Sequence, residues 1–319
     1  MHRLARLVLG PLLLALHCGG AFAQAPAACP PPTVPPSAEA LQALNRDARD
    51  HGFLWRISKD GRSSHLYGTL HLGRFEWMFP GPRLRQALDA SDAIALELDL
   101  LAPEIQQRMA RAIAARAAAA LPEALRRRLD RRAEAECIAP AALAALGPEL
   151  QVAALMGLAG RRDGLAPDYG IDAVLSGWGR AAGKPVVSLE TPELQLAALQ
   201  SGSPAETVEF VTSALDALDA GRARPSLRRL AQVWADAELA PLTDYAAWCD
   251  CVNTAADRAA LARLIDDRNP ALADAIDALH TAGQRVFAGV GSLHMVGPHG
   301  LPALLAARGY RVERVVFPR

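Results

Sequence analysis

Two stretches of the chain decide its fold: SHLYGTLH at residues 64–71 and VFAGVGSLH at residues 286–294. Each begins with a run typical of a buried strand and ends in glycine, a small hydroxyl residue, leucine and histidine, at 68–71 and 291–294. Ligands of α/β proteins bind where strands end. The repeat therefore predicts two related units, packed about a pseudo-two-fold axis, with both histidines at equivalent ends of neighbouring strands. The alternative is that both histidines are purely structural.

The rest of the chain predicts an α/β fold with a single mixed sheet. Further strands are expected at 53–58, 93–98, 186–190 and 310–316. Asp60-Gly61 predicts a hairpin between the first strand and the strand at 64–68. Residues from about 102 to 280 predict a large helical insert. Since most strands lie near the two ends of the chain, the N- and C-terminal halves must meet to build the sheet.

Composition and the N-terminal residues indicate the class of protein. The 319 residues are 51% hydrophobic and 21% charged, as in a globular protein. Lys+Arg and Asp+Glu both number 34, so no basic excess favours nucleic acid as a partner.

Residues 1–23 predict a secretory signal peptide, because a short basic start and an apolar run precede Ala21-Phe22-Ala23. A lipid-modified Cys18 is the less favoured alternative. We expect a Pro-rich tether at 24–37 and a single domain at 38–319. The mature protein is expected in the periplasm or secreted, without a transmembrane segment after cleavage.

Four cysteines remain after cleavage: Cys29, Cys137, Cys249 and Cys251. In an exported protein they predict two disulfides, with three possible connectivities. Cys249 and Cys251 are separated by one residue and are not expected to pair with each other, so we expect one of them to pair with Cys137. A metal or redox site at 249–251 is the alternative, but it lacks the two-residue spacing typical of such sites.

The pattern resembles the TraB/GumN family, which includes Tiki-type metalloproteases, over residues of about 50–317. The resemblance rests on the two Gly-x-x-His motifs, on Glu97 near the end of a strand and on the pair Arg268-Asn269. It implies a fold shared with the erythromycin esterases and ChaN-like haem-binding proteins. His299 stands where the family more often has aspartate, so we expect it on the surface.

The resemblance implies that His71, His294 and Glu97 bind a divalent transition metal. Two imidazoles and a carboxylate suit Mn, Co, Zn or Fe, which would activate a water molecule for hydrolysis. Glu97 is either a ligand or the general base. Gly68 and Gly291 are the motif glycines, and no other cofactor-binding residue is expected.

Further candidates surround this set. Arg268 is expected to pair with Glu97 or to stabilise an oxyanion, and Asn269 to position substrate or cap a helix. Asp99 and Glu190 are second-tier candidates, either partners of the ligands or ordinary carboxylates at strand ends. Asp172 is interpreted as a helix cap.

Together these features predict an exported metal-dependent hydrolase of peptide or protein substrates, similar to Tiki-type metalloproteases. One alternative is a non-enzymatic haem- or metal-binding periplasmic protein of ChaN-like type. Another is a protein that binds a partner and carries a degenerate site.

Overall fold

The computed structural model describes residues 29–30, 36–115 and 120–318. The predicted signal peptide and most of the predicted tether lie outside these residues. No helix in the described ranges combines the length and the apolar character needed to cross a membrane.

The described residues form a six-stranded sheet surrounded by helices. The strands are β1 (Phe53–Lys59), β2 (Arg62–Thr69), β3 (Ala93–Leu96), β4 (Val186–Ser188), β5 (Val286–Gly291) and β6 (Arg311–Val315). The α-helices are α1 (Ala38–Arg46), α2 (Pro82–Asp89), α3 (Pro103–Ala114), α4 (Glu123–Ala135), α5 (Pro140–Leu143), α6 (Pro148–Leu158), α7 (Ile171–Ala181), α8 (Pro192–Ala198), α9 (Pro204–Asp219), α10 (Ala223–Ala235), α11 (Leu239–Thr243), α12 (Tyr245–Trp248), α13 (Ala255–Leu264), α14 (Asn269–Thr281) and α15 (Leu301–Ala307).

The sheet is mixed, as predicted, and its strand order is β4-β3-β5-β2-β1-β6. β4, β3, β5 and β2 run parallel to one another, whereas β1 is antiparallel to both β2 and β6. The β1–β2 hairpin turns at Asp60 (φ 51°) and Gly61 (φ 74°), the left-handed backbone that a tight hairpin requires. β5 comes from the C-terminal part of the chain yet lies between two N-terminal strands, so the expected meeting of the two halves is confirmed.

The two Gly-x-x-His motifs begin side by side. β2 and β5 are parallel neighbours, with Thr69 opposite Gly291. Both histidines therefore follow neighbouring strands at the same edge of the sheet, as predicted. The residues after the two strands differ in conformation. His294 lies in a short 3-10 turn (Ser292–Met295), whereas His71 lies in an irregular loop. The pseudo-two-fold relation between the units stays a prediction.

The two largest hydrophobic cores among the described residues support the architecture. The larger core covers the sheet and includes the fully buried Phe53, Leu66 and Phe287. The smaller core lies within the helical insert, where α4, α6 and α9 pack through residues such as Leu155 and Leu215. The insert thus buries apolar side chains of its own, separately from the sheet.

Three predicted strands are shorter than expected. The strands predicted at 186–190 and 310–316 are observed as Val186–Ser188 and Arg311–Val315. The strand predicted at 93–98 ends at Leu96, because β4 pairs only as far as that residue. Glu97 consequently lies just beyond the strand end rather than within the ladder.

The predicted disulfide pairing is wrong. The bonds join Cys29 to Cys137 and Cys249 to Cys251, with Cα–Cα distances of 5.8 Å and 5.1 Å. In an extended backbone, alternate Cα atoms are about 7 Å apart and beyond reach of a disulfide. Asp250 has a φ of 53°, and this turn brings Cys249 and Cys251 within bonding distance.

Candidate functional site

Three predicted site residues meet at the carboxyl ends of three adjacent parallel strands. His71 follows β2, Glu97 follows β3 and His294 follows β5. A Cβ atom placed on Gly291 would lie 3.2 Å from Glu97 Oε1, 3.5 Å from His294 Cδ2 and 3.9 Å from His71 Nε2. All three side chains therefore surround one point, which glycine leaves empty.

The imidazole of His71 is oriented by Asp172, on the first turn of α7. His71 Nδ1 lies 2.8 Å from Asp172 Oδ2, while the Thr69 hydroxyl donates to Asp172 Oδ1 at 2.7 Å. Since the Nδ1 proton points to the carboxylate, Nε2 is the atom left for the site. The expected capping role of Asp172 is wrong, because Gly170 is the N-cap of α7 and no side chain caps it.

The imidazole of His294 is oriented in the same way by an amide. Its Nδ1 lies 2.6 Å from Asn269 Oδ1, and Asn269 Nδ2 donates to the carbonyl of His299 at 2.8 Å. The second bond fixes which end of the amide faces the ring, so Nδ1 of His294 carries the proton and Nε2 carries the lone pair. The side chain of His294 is only 3% exposed, whereas that of His71 is 67% exposed. His299 is exposed, as predicted.

Glu97 is a buried carboxylate, 4% exposed, with both oxygens bonded. Oε1 accepts the Gly291 N–H at 2.7 Å, and Oε2 accepts from Arg268 and, at 3.3 Å, from Gln195 Nε2. Burial alone would raise the pKa of Glu97, but the nearby His294, His71 and Arg268 and the Gly291 N–H lower it to about 2. The side chain is therefore ionised at neutral pH.

Arg268 joins two carboxylates to the second imidazole. Its guanidinium bonds to Glu97 and Glu190, including Nε to Glu190 Oε2 at 3.1 Å. A second guanidinium nitrogen donates to the Leu264 carbonyl at 2.7 Å and lies 3.4 Å from His294 Nε2. Burial raises the pKa of Glu190, although the Arg268 bonds oppose that shift.

Gln195, on α8, is a site residue that sequence reasoning missed. Its amide donates to Glu97 at 3.3 Å and to Glu190 at 3.1 Å, so it links both carboxylates. A lone glutamine within a helical run has no recognisable pattern. Asp99 is a different case, because its carboxylate accepts from Ser176 at 2.6 Å and Arg180 at 2.7 Å rather than from the groups around Glu97.

The two histidines have opposite electrostatic surroundings. The charge of the Asp172 carboxylate, together with its hydrogen bond to Nδ1, raises the pKa of His71 to about 9. Burial lowers the pKa of His294 to about 4, and Glu97 only partly offsets that effect. At neutral pH the site therefore holds one cationic and one neutral imidazole beside an ionised carboxylate.

A family model for the TraB/PrgY/gumN family matches residues 53–314. This chain belongs to the TraB/PrgY/gumN family. The match begins at the first residue of β1 and ends within β6, so it includes all the site residues described above. No curated protein and no solved structure matches the chain.

In this member of the TraB/PrgY/gumN family, the donor chemistry fits a divalent transition metal. Both imidazoles direct Nε2 towards the site, and their Nδ1 atoms are held by Asp172 and Asn269, the arrangement common in metal-binding histidines. Among the described residues, however, no group of three or more His, Cys, Asp or Glu side chains is arranged to hold an ion. Cation binding requires His71 to lose a proton and Arg268 to move away from His294 Nε2.

Proposed function

We propose that this chain is an exported metal-dependent hydrolase of peptide bonds, as its resemblance to Tiki-type metalloproteases implies. The observation that carries the proposal is the convergence of His71, Glu97 and His294 around Gly291. Separate hydrogen-bond partners hold both imidazoles through Nδ1, which leaves Nε2 of each ring as the possible ligand atom. A structural role for the histidines does not require this convergence.

His71, His294 and Glu97 would hold Mn, Co, Zn or Fe. The bound ion would supply Lewis-acid chemistry, polarising a carbonyl and making water a nucleophile at neutral pH. A carboxylate with a pKa of about 2 is a weak base, since an effective general base has a pKa near the working pH. We therefore assign Glu97 as a ligand rather than the general base.

Arg268 is the residue suited to stabilise negative charge on the substrate. Of its two terminal nitrogens, one bonds both carboxylates, while the other lies 3.4 Å from His294 Nε2. When that Nε2 lone pair is used for ligation, the adjacent N–H loses its acceptor and becomes available to a substrate oxygen. Asn269 acts by keeping the ring of His294 in place.

Metal content tests the proposal directly. Residues 24–319 would be incubated with Mn, Co and Zn, desalted and measured by elemental mass spectrometry beside the His71→Ala/His294→Ala double variant. We expect roughly one ion per wild-type chain and none in the folded double variant. Cleavage of a peptide library should then require the metal and be lost in Glu97→Gln.

His299→Ala is the matched control. His299 is an exposed residue five positions after His294, and the substitution removes its imidazole. The variant should keep the full metal content. Equal metal content in wild type and double variant would reject the site. Metal or haem uptake without hydrolysis would instead support the alternative of a binding protein.

A further inference from the structure

The disulfide between Cys249 and Cys251 lies in a tight turn that sequence reasoning did not foresee. The turn follows α12 and precedes α13, in the run of helices between β4 and β5. Asp250 between the two cysteines has a φ of 53°. Arg222 donates to the Asp250 carboxylate at 3.1 Å and Asn253 does so at 3.4 Å, so side chains outside the turn support it.

This disulfide is poorly placed to stabilise the fold. In the chain-entropy model, the stabilisation from a disulfide grows with the length of chain that it closes. Cys249 and Cys251 are two positions apart, whereas Cys29 and Cys137 are 108 apart. The short closure restricts the unfolded chain very little, so the bond needs another explanation.

The two sulfur atoms have different environments. Cys249 is buried, with 1% exposure, and its Sγ accepts the backbone N–H of Cys251 at 3.2 Å. Cys251 is an exposed residue. Its Sγ lies 3.3 Å from the Tyr245 hydroxyl, which is the donor because a disulfide sulfur has no hydrogen. Each sulfur thus has one donor that would stabilise a thiolate after reduction.

We propose that Cys249–Cys251 is a thiol–disulfide exchange site, whose co-reactant is a dithiol of another molecule. Solvent reaches Cys251, so an incoming thiolate attacks that sulfur and forms a mixed disulfide. The Cys249–Cys251 bond breaks, and its electron pair goes to Cys249 Sγ, where the Cys251 N–H is already bonded. The second thiolate of the partner then displaces Cys251. Two electrons and two protons pass from the dithiol, which is oxidised, to the two cysteines.

The charges around the turn permit an anionic thiolate to approach Cys251. Asp250 would repel an incoming thiolate, but its carboxylate is paired with Arg222. The guanidinium of Arg229 lies 4.3 Å from the centre of the Trp248 ring, which adds a second cation next to α12. The exchange site does not depend on the proposed hydrolase site, and neither His71 nor His294 contributes to it.

A redox titration of the wild-type chain tests the proposal, with Cys29–Cys137 as internal control. Residues 24–319 would be equilibrated with reduced and oxidised glutathione, alkylated and mapped by peptide mass spectrometry. The midpoint of each reduction is the value of [GSH]²/[GSSG] at which half of that disulfide is reduced, where GSH and GSSG are reduced and oxidised glutathione. We expect the midpoint of Cys249–Cys251 to be at least about tenfold lower than that of Cys29–Cys137. Circular dichroism should stay unchanged when only the first bond is open. Simultaneous opening of both bonds, or loss of the fold with the first, overturns the proposal.

Transfer to a second protein tests the activity itself. A stoichiometric amount of the oxidised chain should restore activity to reduced ribonuclease A, whereas Cys251→Ser should not. The Cys29→Ser/Cys137→Ser variant keeps the turn and should behave as wild type. Restoration by Cys251→Ser at the wild-type rate, or none by the wild type, overturns the proposal.

Discussion

At the residue scale, the site depends on how two imidazoles and one carboxylate are held. Asp172 orients His71 and Asn269 orients His294 through Nδ1, so Nε2 is the nitrogen left for the site in both rings. Of the His71 atoms, Nε2 lies nearest Gly291, whereas the Nε2 of His294 lies 4.0 Å from Glu97 Oε1. Each orienting group is fixed by a second bond, from Thr69 or to a backbone carbonyl. Such fixed partners reduce the freedom that ligands lose when they bind an ion.

Gly291→Ala should weaken metal binding without unfolding the protein. Gly291 has a φ of −47°, which alanine adopts freely, but its Cβ would lie 3.2 Å from Glu97 Oε1. We expect the metal affinity to fall roughly tenfold or more, as isothermal titration would measure.

Gly177→Ala is the control, because a Cβ there meets open space on α7. It should keep the wild-type affinity. Unchanged affinity in Gly291→Ala would show that the point of convergence is not where an ion binds.

His65 should make the folded state sensitive to mild acid. Burial, together with the nearby Arg56, lowers the pKa of His65 to about 4, and its Nδ1 has no hydrogen-bond partner among the described residues. Because the unfolded pKa is near 6.5, the unfolded chain binds more protons between pH 6.5 and 4. Stability is therefore lost as the pH falls through that window, by on the order of 2 kcal/mol.

Urea unfolding at pH 7.5 and 4.5 measures this loss, with His65→Gln as the comparison. His294 also has a pKa lowered to about 4, but it titrates in both proteins. The wild type should lose more stability than the variant between the two pH values. Equal losses would mean that His65 does not carry the effect.

At the element scale, helices far along the chain hold the ends of the strands. The indole of Trp234, on α10, donates to the carbonyl of Gly68 at 2.8 Å, directly before the first histidine loop. Asn269 is the first residue of α14 and orients His294. The ends of these helices therefore fix a backbone carbonyl before the first histidine and the ring of the second histidine.

Trp234→Phe should destabilise the protein and loosen the site together. The buried Gly68 carbonyl loses its indole donor, at a cost of about 1–3 kcal/mol. Trp248→Phe is the matched control, since its indole donates to the Pro241 carbonyl at 2.7 Å, away from both motifs. Urea unfolding should show a loss of stability in both variants. Isothermal titration should show weaker metal binding only for Trp234→Phe. An equal effect of both variants on metal affinity would contradict a local role.

At the scale of the whole molecule, the parts predicted from sequence are those that local pattern encodes. The hairpin at Asp60-Gly61 and the pairing of the strands before His71 and His294 follow from turn chemistry and from the repeated motif. Hydrophobic pattern likewise placed β5 and β6 within a residue or two of their observed bounds.

The parts that could not be predicted depend on contacts between distant residues. Gln195 reaches Glu97 across 98 positions, and Asp172 reaches His71 across 101. Nothing near either residue in sequence encodes those contacts. The bond between Cys249 and Cys251 was missed for a local reason, because the left-handed backbone of Asp250 is rare outside glycine.

The position of β5 within the sheet affects how the chain can fold as it is synthesised. β5 separates β2 from β3, so these strands are not neighbours until residues 286–291 have emerged. A growing polypeptide can form the β1–β2 hairpin and the β3–β4 pair, but not the continuous sheet that joins them. The sheet of the nascent protein thus stays incomplete until the last tenth or so of the chain has been synthesised.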